Sequence, residues 1–552
     1  MPPPAPAAAL FRRFAGGIAA TLCLLAALPA AAAPQSKRDE SEAFFKKGVI
    51  PTIRLELPPE SADGLRSEPR TYARFRLVVD GETVSENAGI KIKGSAGSSQ
   101  AFDERPAFTV DVDRFGESPR WNGLEKFHLN NSVQDPSLLS EWTAAEILRD
   151  ADYPHARVTH ARVFVGERDM GVYVLKESFD EHFLARNFKD PNGNLYDGGF
   201  CQDIDAELEL DESKRVDGKK PEGDAARADL RALAAAVSGS DFKARWSAVG
   251  PLVDLPQFHR FMALEMMLGH WDGYSLNTNN YRLFFDARGK AVFLLHGMDQ
   301  TFQDPGASVL DTPRGVVAST VMKNPDWRKD YRRQVSRLLG SFSAKRLVPK
   351  LEVVQKRLQV ALRAHDPAVA EQQAVSAREF VDRLVAREQS LRAQATAPEP
   401  KPLEFRPGRE RAIKGWLSFS EVEDATVETA KGRDGAWYRI ATGPSGRCVA
   451  GFRKNLLLPR GRYRFEVAAR TGGVEPIAEE GQPTAGAGVR ISGGACEKPL
   501  VGTQDAEIVY EFEVAEETAD VELVLELRAT KGEAVFRVDS TKLTMLPPKR
   551  AE

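Results

Sequence analysis

Residues 396–402 read TAPEPKP, and three prolines in so short a span fix φ and remove backbone donors, opposing both helix and sheet. A chain of 552 residues is thereby divided, and its two parts differ in hydrophobic period. Beyond the prolines the pattern is all-β: VELVLELR from Val521 alternates strictly, YRFEVAAR from Tyr463 less so, and turn residues recur about every ten positions. Residues 403–549 are therefore expected to form a β-sandwich of the jelly-roll kind. Before the linker, strand-like alternation fills residues 48–84 (TIRLEL, YARFRLVVDG) and 88–175 (IKIKG, FTVDV, KFHLN, ARVFVG), with a helix expected over 136–150. Helical spacing then takes over. Asp254 and Pro256 open a run through Phe258, Phe261, Met262, Leu264 and Leu268 that Gly269 closes, and residues 327–393 are again helical. Between them NYRLFFD and KAVFLLH read as a hairpin about the Ala287–Arg288–Gly289 turn. The fold class that follows is α+β, with an all-β C-terminal part.

The chain begins with Arg12 and Arg13, an apolar run from Phe14 to Leu28, and small residues ending at Ala33. This is the order of a secretory signal, cleaved after Ala33, and the run is short of the roughly 20 residues a bilayer span needs. The expected destination is outside the cytoplasm: periplasm, cell surface or medium. With 76 basic against 79 acidic residues the net charge is −3, which gives no electrostatic pull toward nucleic acid. Cys201, Cys448 and Cys496 remain after the signal, too few for a disulfide scaffold or zinc cluster, though a Cys448–Cys496 bridge is open to an exported chain. The acidic, Gly/Lys-rich stretch 203–224 reads as a solvated loop.

The chemistry-bearing stretch is HWDGYSLNTNNY, residues 270–281, where a buried helix ends, followed after the hairpin by HGMD. The two strands act as a spacer that returns Asp299 toward Asp272 and Asn277. Phosphoryl transfer needs such a set: a carboxylate to orient the attacking hydroxyl, and an amide oxygen and second carboxylate as hard ligands for Mg²⁺. Asp and Asn are also ordinary turn formers. His270 is expected to support the backbone, leaving the acid–base role to Asp272. Upstream, KGSAGSS at 93–99 is a small-residue turn between strands able to lay N–H groups against phosphate oxygens, without the lysine-serine ending of a P-loop. Neither an H-E-x-x-H nor a G-x-S-x-G motif is present.

These blocks, in this order, resemble the spore-coat protein H (CotH) kinase family over residues 44–391. The resemblance rests on KGSAGS, RPAFTVDVDRF, GLEKFHLNNSVQDPSLLSEWTAAEILRDA, ARVFVGERDMGVYVLKES, GNLYDGG and DGYSLNTNNY with HGMD. It implies a divergent, bilobal protein-kinase-like domain over residues 34–395. It also implies use of ATP and Mg²⁺, and a Ser/Thr acceptor on secreted or surface proteins. Residue by residue it implies Asp272 as catalytic aspartate, Asn277 and Asp299 as metal ligands, and Asn280 as a further one. Gly94 and Gly97 would cover phosphate, and Glu177 would offer backbone groups to adenine. Arg105 stands where the family has a phosphate-binding lysine, with Lys93 and Lys126 as substitutes and Glu141 or Glu146 as the acidic partner. The competing reading is a catalytically silent binding protein. In it Trp416, Phe419, Trp437, Tyr438 and Tyr463 of the sandwich would stack on a polysaccharide, although such aromatics at strand spacing are more often core.

Overall fold

The computed structural model describes residues 41–547 apart from 205–207, 211–226, 239–241, 312, 399–400, 407, 433–434, 478–484 and 497. The signal-like segment and most of the acidic stretch fall outside the described residues.

After α1 (Glu42–Lys47), the alternating segments form β1 (Thr52–Glu56), β2 (Ala73–Val79), β3 (Glu82–Lys93), β4 (Ala107–Asp111), β5 (Lys126–Asn130), β6 (Val158–Val165) and β7 (Arg168–Glu177), with α2 (Pro59–Ser67) between β1 and β2. Their order is β1-β2-β3-β4-β5-β7-β6, and β6 pairs with β1 so that the sheet closes into a barrel. Closure removes both sheet edges. Ile53, Leu77, Ile90, Phe108, Phe127 and Leu175 fill the interior, and strand alternation turns their neighbours outward. The helix α3 (Ser140–Asp150) lies between β5 and β6 in sequence. It begins later than its apolar pattern suggests because Asp135 first folds the chain into a turn, its carboxylate accepting the Ser137 N–H (3.1 Å) and the Ser140 N–H (2.9 Å).

The second body contains α4 (Glu181–Asn187), β8 (Asn194–Asp197), β9 (Glu209–Leu210), α5 (Ala228–Ser238), α6 (Phe242–Val249), α7 (Leu255–Leu268), α8 (Tyr274–Asn277), β10 (Tyr281–Phe285), β11 (Ala291–Leu295), α9 (Val316–Lys323), α10 (Pro325–Leu338), α11 (Ala344–His365) and α12 (Pro367–Thr396). Its sheet runs β11-β10-β8-β9. The helical stretch expected over 327–393 is three helices. Asp366 ends one and starts the next, its side chain accepting the Ala368 N–H at 2.8 Å ahead of the Pro367 turn. Helix α7 is buried almost all round, and Arg387 of α12, itself fully buried, caps its last turn by donating to the carbonyls of Met267 (2.9 Å) and Met266 (2.7 Å). That contact fixes the end of α7, from which the next loop departs.

The C-terminal residues form an eight-stranded sheet, β12 (Glu410–Ala412) through β13 (Leu417–Ser420), β14 (Thr426–Gly432), β15 (Gly435–Ala441), β16 (Cys448–Pro476), β17 (Gly486–Ile491), β18 (Gly502–Arg537) and β19 (Lys542–Leu546), around its own core. Lys323 of α9 reaches Glu516 of β18 at 2.8 Å. Trp416, Trp437, Tyr438 and Tyr463 are buried and Arg453 covers Phe419, so these rings are core rather than a stacking face. Cys448 and Cys496 are both free thiols. Among the described residues no helix is long and apolar enough to cross a membrane.

Candidate functional site

Asp254 caps the start of α7 by accepting the Gln257 N–H, and Gly269 ends it at φ 64°, a left-handed position suited to glycine. The chain then enters the loop 270–280. Its scaffold is Glu265, a fully buried carboxylate that accepts the backbone N–H of Tyr274 (2.6 Å) and of Ser275 (2.8 Å). Those N–H groups open α8, whose last residue is Asn277. Burial pushes the Glu265 carboxyl up to about 7, against the pull of its hydrogen bonds. The folded state therefore disfavours the ionised form, and this group's contribution to stability falls as pH rises from the ordinary carboxylate range through about 7. Glu265→Gln is expected to flatten that part of the melting temperature against pH curve. Gly273 leaves no room beside the same carboxylate, since a Cβ there would lie 2.2 Å from Glu265 Oε1. Gly273→Ala should cost about 1–3 kcal/mol, read by chemical denaturation, because the carboxylate it strikes is buried and held through both oxygens, Oε1 by the Tyr274 N–H and Oε2 by the Ser275 N–H.

With the loop anchored, three amides converge on one carboxylate. Asp272 Oδ1 accepts from Asn277 Nδ2 (2.7 Å) and Asn279 Nδ2 (3.1 Å), and Asp272 Oδ2 accepts from Asn280 Nδ2 (2.7 Å) and Asn279 Nδ2 (3.2 Å). Thr278 and Asn280 sit at φ 50° and 48°, left-handed positions that few L-residues adopt, and the bends they make turn the amides inward. Strands β10 and β11 then run out and back in register, Tyr281 opposite Leu295. The His296 N–H donates to Asn280 O (3.1 Å), and Gly297, at φ 56°, lies so close to Asn280 that a Cβ would come within 2.3 Å of its Oδ1. The next residues, Met298–Gln300, form a single 3₁₀ turn carrying Asp299. His270 Nε2–H donates to His296 O (2.9 Å), and burial pushes its pKa down to about 4, so it is a neutral strut.

The opposite wall comes from the barrel. Lys93 ends β3, and the turn after it contains Gly94 (φ 113°) and Gly97 (φ 80°), closed by the Ser98 and Ser99 N–H groups on Ser95 O. A Cβ on Gly94 would touch Ser98 O at 3.0 Å, and one on Gly97 would meet Gln134 Nε2 at 2.5 Å. Lys93 Nζ donates to Asn130 Oδ1 (2.6 Å), Asn130 Nδ2 to Glu141 Oε2 (2.6 Å), and Lys176 Nζ to Glu141 Oε1 (2.8 Å). The Lys176–Glu141 pair is 1% and 2% exposed, sealed between β7 and the first turn of α3. Burial pushes Lys93 down to about 8. Burial also works to raise Glu141, but Lys176, Lys93 and the Asn130 bond outweigh it and hold the carboxyl below its ordinary value. Asp299 is pushed up to about 6 by burial and by the charge of Glu141, with Lys176 and Lys93 opposing.

Asp272, Asn277, Asn280, Asp299, Lys93 and Gly94 thus line one cleft of about 460 Å³, with Glu141 at its back. Four side chains singled out in the sequence, those of Arg105, Lys126, Glu177 and Glu146, do not reach it. Arg105 donates to the carbonyls of Met170, Asn131 and Val172 and lies over the Tyr173 ring. Lys126 pairs with Asp111 at 3.3 Å. The Glu177 carboxylate is gripped by Arg157 (2.8 Å) and Arg186 (2.5 Å), and its N–H already donates to Arg157 O. Glu146 bonds Arg149 and Lys350 on the far face of α3. The residues that the sequence reading passed over are Asn279, Asn130 and Lys176. A lysine closing the apolar run GVYVLK was the available signal, because a buried lysine requires a charge partner.

The family described as CotH kinase protein matches residues 90–385, more than half of the chain. Among relatives, Spore coat protein homolog 1 of Rhizopus delemar is 24% identical over 444 residues, covering 72% of this chain and 70% of that one. Inner spore coat protein H of Bacillus subtilis is 24% identical over 266 residues, covering 44% and 70%. Invasin CotH7 of Rhizopus delemar is 24% identical over 225 residues, 37% of each chain. With the family match running from β3 through the cleft and into α12, this chain belongs to the CotH kinase protein family.

Proposed function

We propose that the protein is an exported protein kinase that transfers the ATP γ-phosphate to Ser or Thr of a secreted or surface protein. The observation that carries this reading is one cleft holding a carboxylate caged by amides, a second, half-buried carboxylate, and a sealed Lys–Glu pair behind a glycine turn. Export is supported by the signal-like first 33 residues and by relatives named for spore coat and invasin.

The donor set suits Mg²⁺, which takes hard oxygen ligands. Asn277, Asn280 and Asp299 offer amide and carboxylate oxygens, and burial beside Glu141 leaves Asp299 in an excess of negative potential that a cation relieves. Bound there, Mg²⁺ would neutralise phosphate charge. The remaining work falls to the chain itself. Backbone N–H groups of Gly94, Ala96 and Gly97 and the ammonium of Lys93 meet phosphate oxygens. Lys176, oriented by Glu141, supplies a second fixed positive charge whose position is set before substrate arrives. Asp272, held in one orientation by three amides, accepts a hydrogen bond from the acceptor hydroxyl and aligns it for in-line attack. Purified mature protein given Mg²⁺ and γ-labelled ATP should label itself or a Ser-rich protein, and calorimetry should show Mg²⁺-dependent ATP binding. Equal labelling by the wild type and by Asp272→Ala and Asp299→Ala variants would refute the assignment.

A further inference from the structure

Aromatic side chains are overwhelmingly internal in this protein. Among the described residues only Phe200 and Trp271 are exposed, at 60% and 47%, and both lie on the rim of the Asp272 cleft. They are fixed to the amide cage from two directions. Trp271 directly precedes Asp272, and its N–H donates to Gly269 O at 2.9 Å. Phe200 directly precedes Cys201, whose N–H donates to Asn279 Oδ1 (3.4 Å) and whose sulfur accepts from Asn277 Nδ2 (3.6 Å). Two large apolar rings are therefore held in water at the cleft of the carboxylate proposed to meet the acceptor.

We propose that Phe200 and Trp271 form the acceptor-binding rim, taking an extended protein segment in which an aromatic or large aliphatic side chain lies within two residues of the hydroxyl. This inference rests on the kinase reading of the same cleft. Its physical basis is that exposed rings gain by covering apolar surface, and rings tied to a rigid loop lose little entropy in doing so. A sugar acceptor would also stack on such rings, but it needs free hydrogen-bonding groups around them. Of the amides that line this cleft, those of Asn277, Asn279 and Asn280 already bond Asp272, and that of Asn130 bonds Glu141. An apolar peptide side chain asks for no such partners, so a protein segment is the better fit.

The test is a positional-scanning array of Ser peptides, offered to the full-length mature protein with Mg²⁺ and γ-labelled ATP. Peptides with Phe, Tyr, Leu or Ile next to or two residues from Ser should be labelled about tenfold better than those with Ser, Asp or Gly there. Phe200→Ala and Trp271→Ala should each raise KM for those peptides about tenfold with KM for ATP unchanged, and Trp271→Phe should restore most of it. Labelling without that preference, a preference that survives both alanine variants, or Trp271-dependent labelling of a glycan instead of peptides would overturn the rim while leaving the transferase standing. If nothing is labelled, the same array is read for retained protein. Retention of the apolar peptides that Trp271→Ala abolishes would keep the rim and remove the transferase. Absence of both label and retention would remove both.

Discussion

Asp272→Ala should lower phosphate transfer by about 10²–10⁴-fold while Mg²⁺-dependent ATP affinity changes only a few-fold, because a positioned carboxylate acts on the acceptor hydroxyl and not on the nucleotide. Asp299→Asn should do the reverse, removing Mg²⁺-dependent ATP binding and with it transfer. The two variants should also differ in stability. Asp272 is half-exposed, and two of its three amide partners, Asn277 and Asn280, are too and can turn to water when it is truncated, which leaves only the buried Asn279 amide short of an acceptor. Asp299 is held above the usual carboxylate range, up to about 6, so its ionised form is disfavoured in the fold. Neutralising it in chelator-treated protein at pH 8 should raise the melting temperature by about 2–4 °C. The gain should fade as the pH falls through about 6, where the native side chain takes up its own proton. A variant that becomes more stable while losing nucleotide is the signature expected of a carboxylate kept for a cation. An Asp299→Asn protein that binds ATP and Mg²⁺ like the wild type would exclude that role.

The parts of this site that the sequence displayed are those governed by short-range rules. Asp254, Pro256 and Gly269 mark the ends of α7 by capping chemistry alone, and a hairpin returns its second strand beside its first whatever surrounds it. Asp272, Asn277 and Asp299 could therefore be brought together on paper. The cation that faces them could not. It depends on β7 lying beside β5 as well as β6, on α3 bringing Glu141 to Lys176, and on which side of a strand a residue points. In VYVLKE, attention to Glu177 in place of Lys176 is a displacement of one residue, and in a strand one residue is the difference between the two faces of the sheet. Lys176 turns to Glu141, which lines the cleft, whereas Glu177 turns to Arg157 and Arg186. Arg105 was misplaced for a related reason. Its guanidinium satisfies three carbonyls left by neighbouring strands, a structural task no local pattern announces.

Glu141→Ala is the substitution expected to cost most in stability. It would leave Lys176 a buried ammonium without its bonded carboxylate, with only the charge of Asp299 to offset it, and removing one partner of a buried pair typically costs about 3–5 kcal/mol. Lys176→Met should cost less, because Glu141 would keep the Asn130 amide at 2.6 Å and the attraction of Lys93. The double variant Glu141→Leu with Lys176→Met is the informative one. Replacing both members of a desolvated pair by apolar groups of similar volume is often neutral or stabilising, so urea denaturation should return to near the wild-type midpoint. If the pair persists only to hold α3 on β7, that double variant should bind ATP as well as the wild type does. If it persists because phosphate needs a preorganised positive charge, the repaired fold should still fail to bind ATP. The second outcome is expected, since two apolar residues could seal this position at no cost in stability. The sequence keeps an ion pair there, in the wall of the cleft that also holds Asp272 and Asp299.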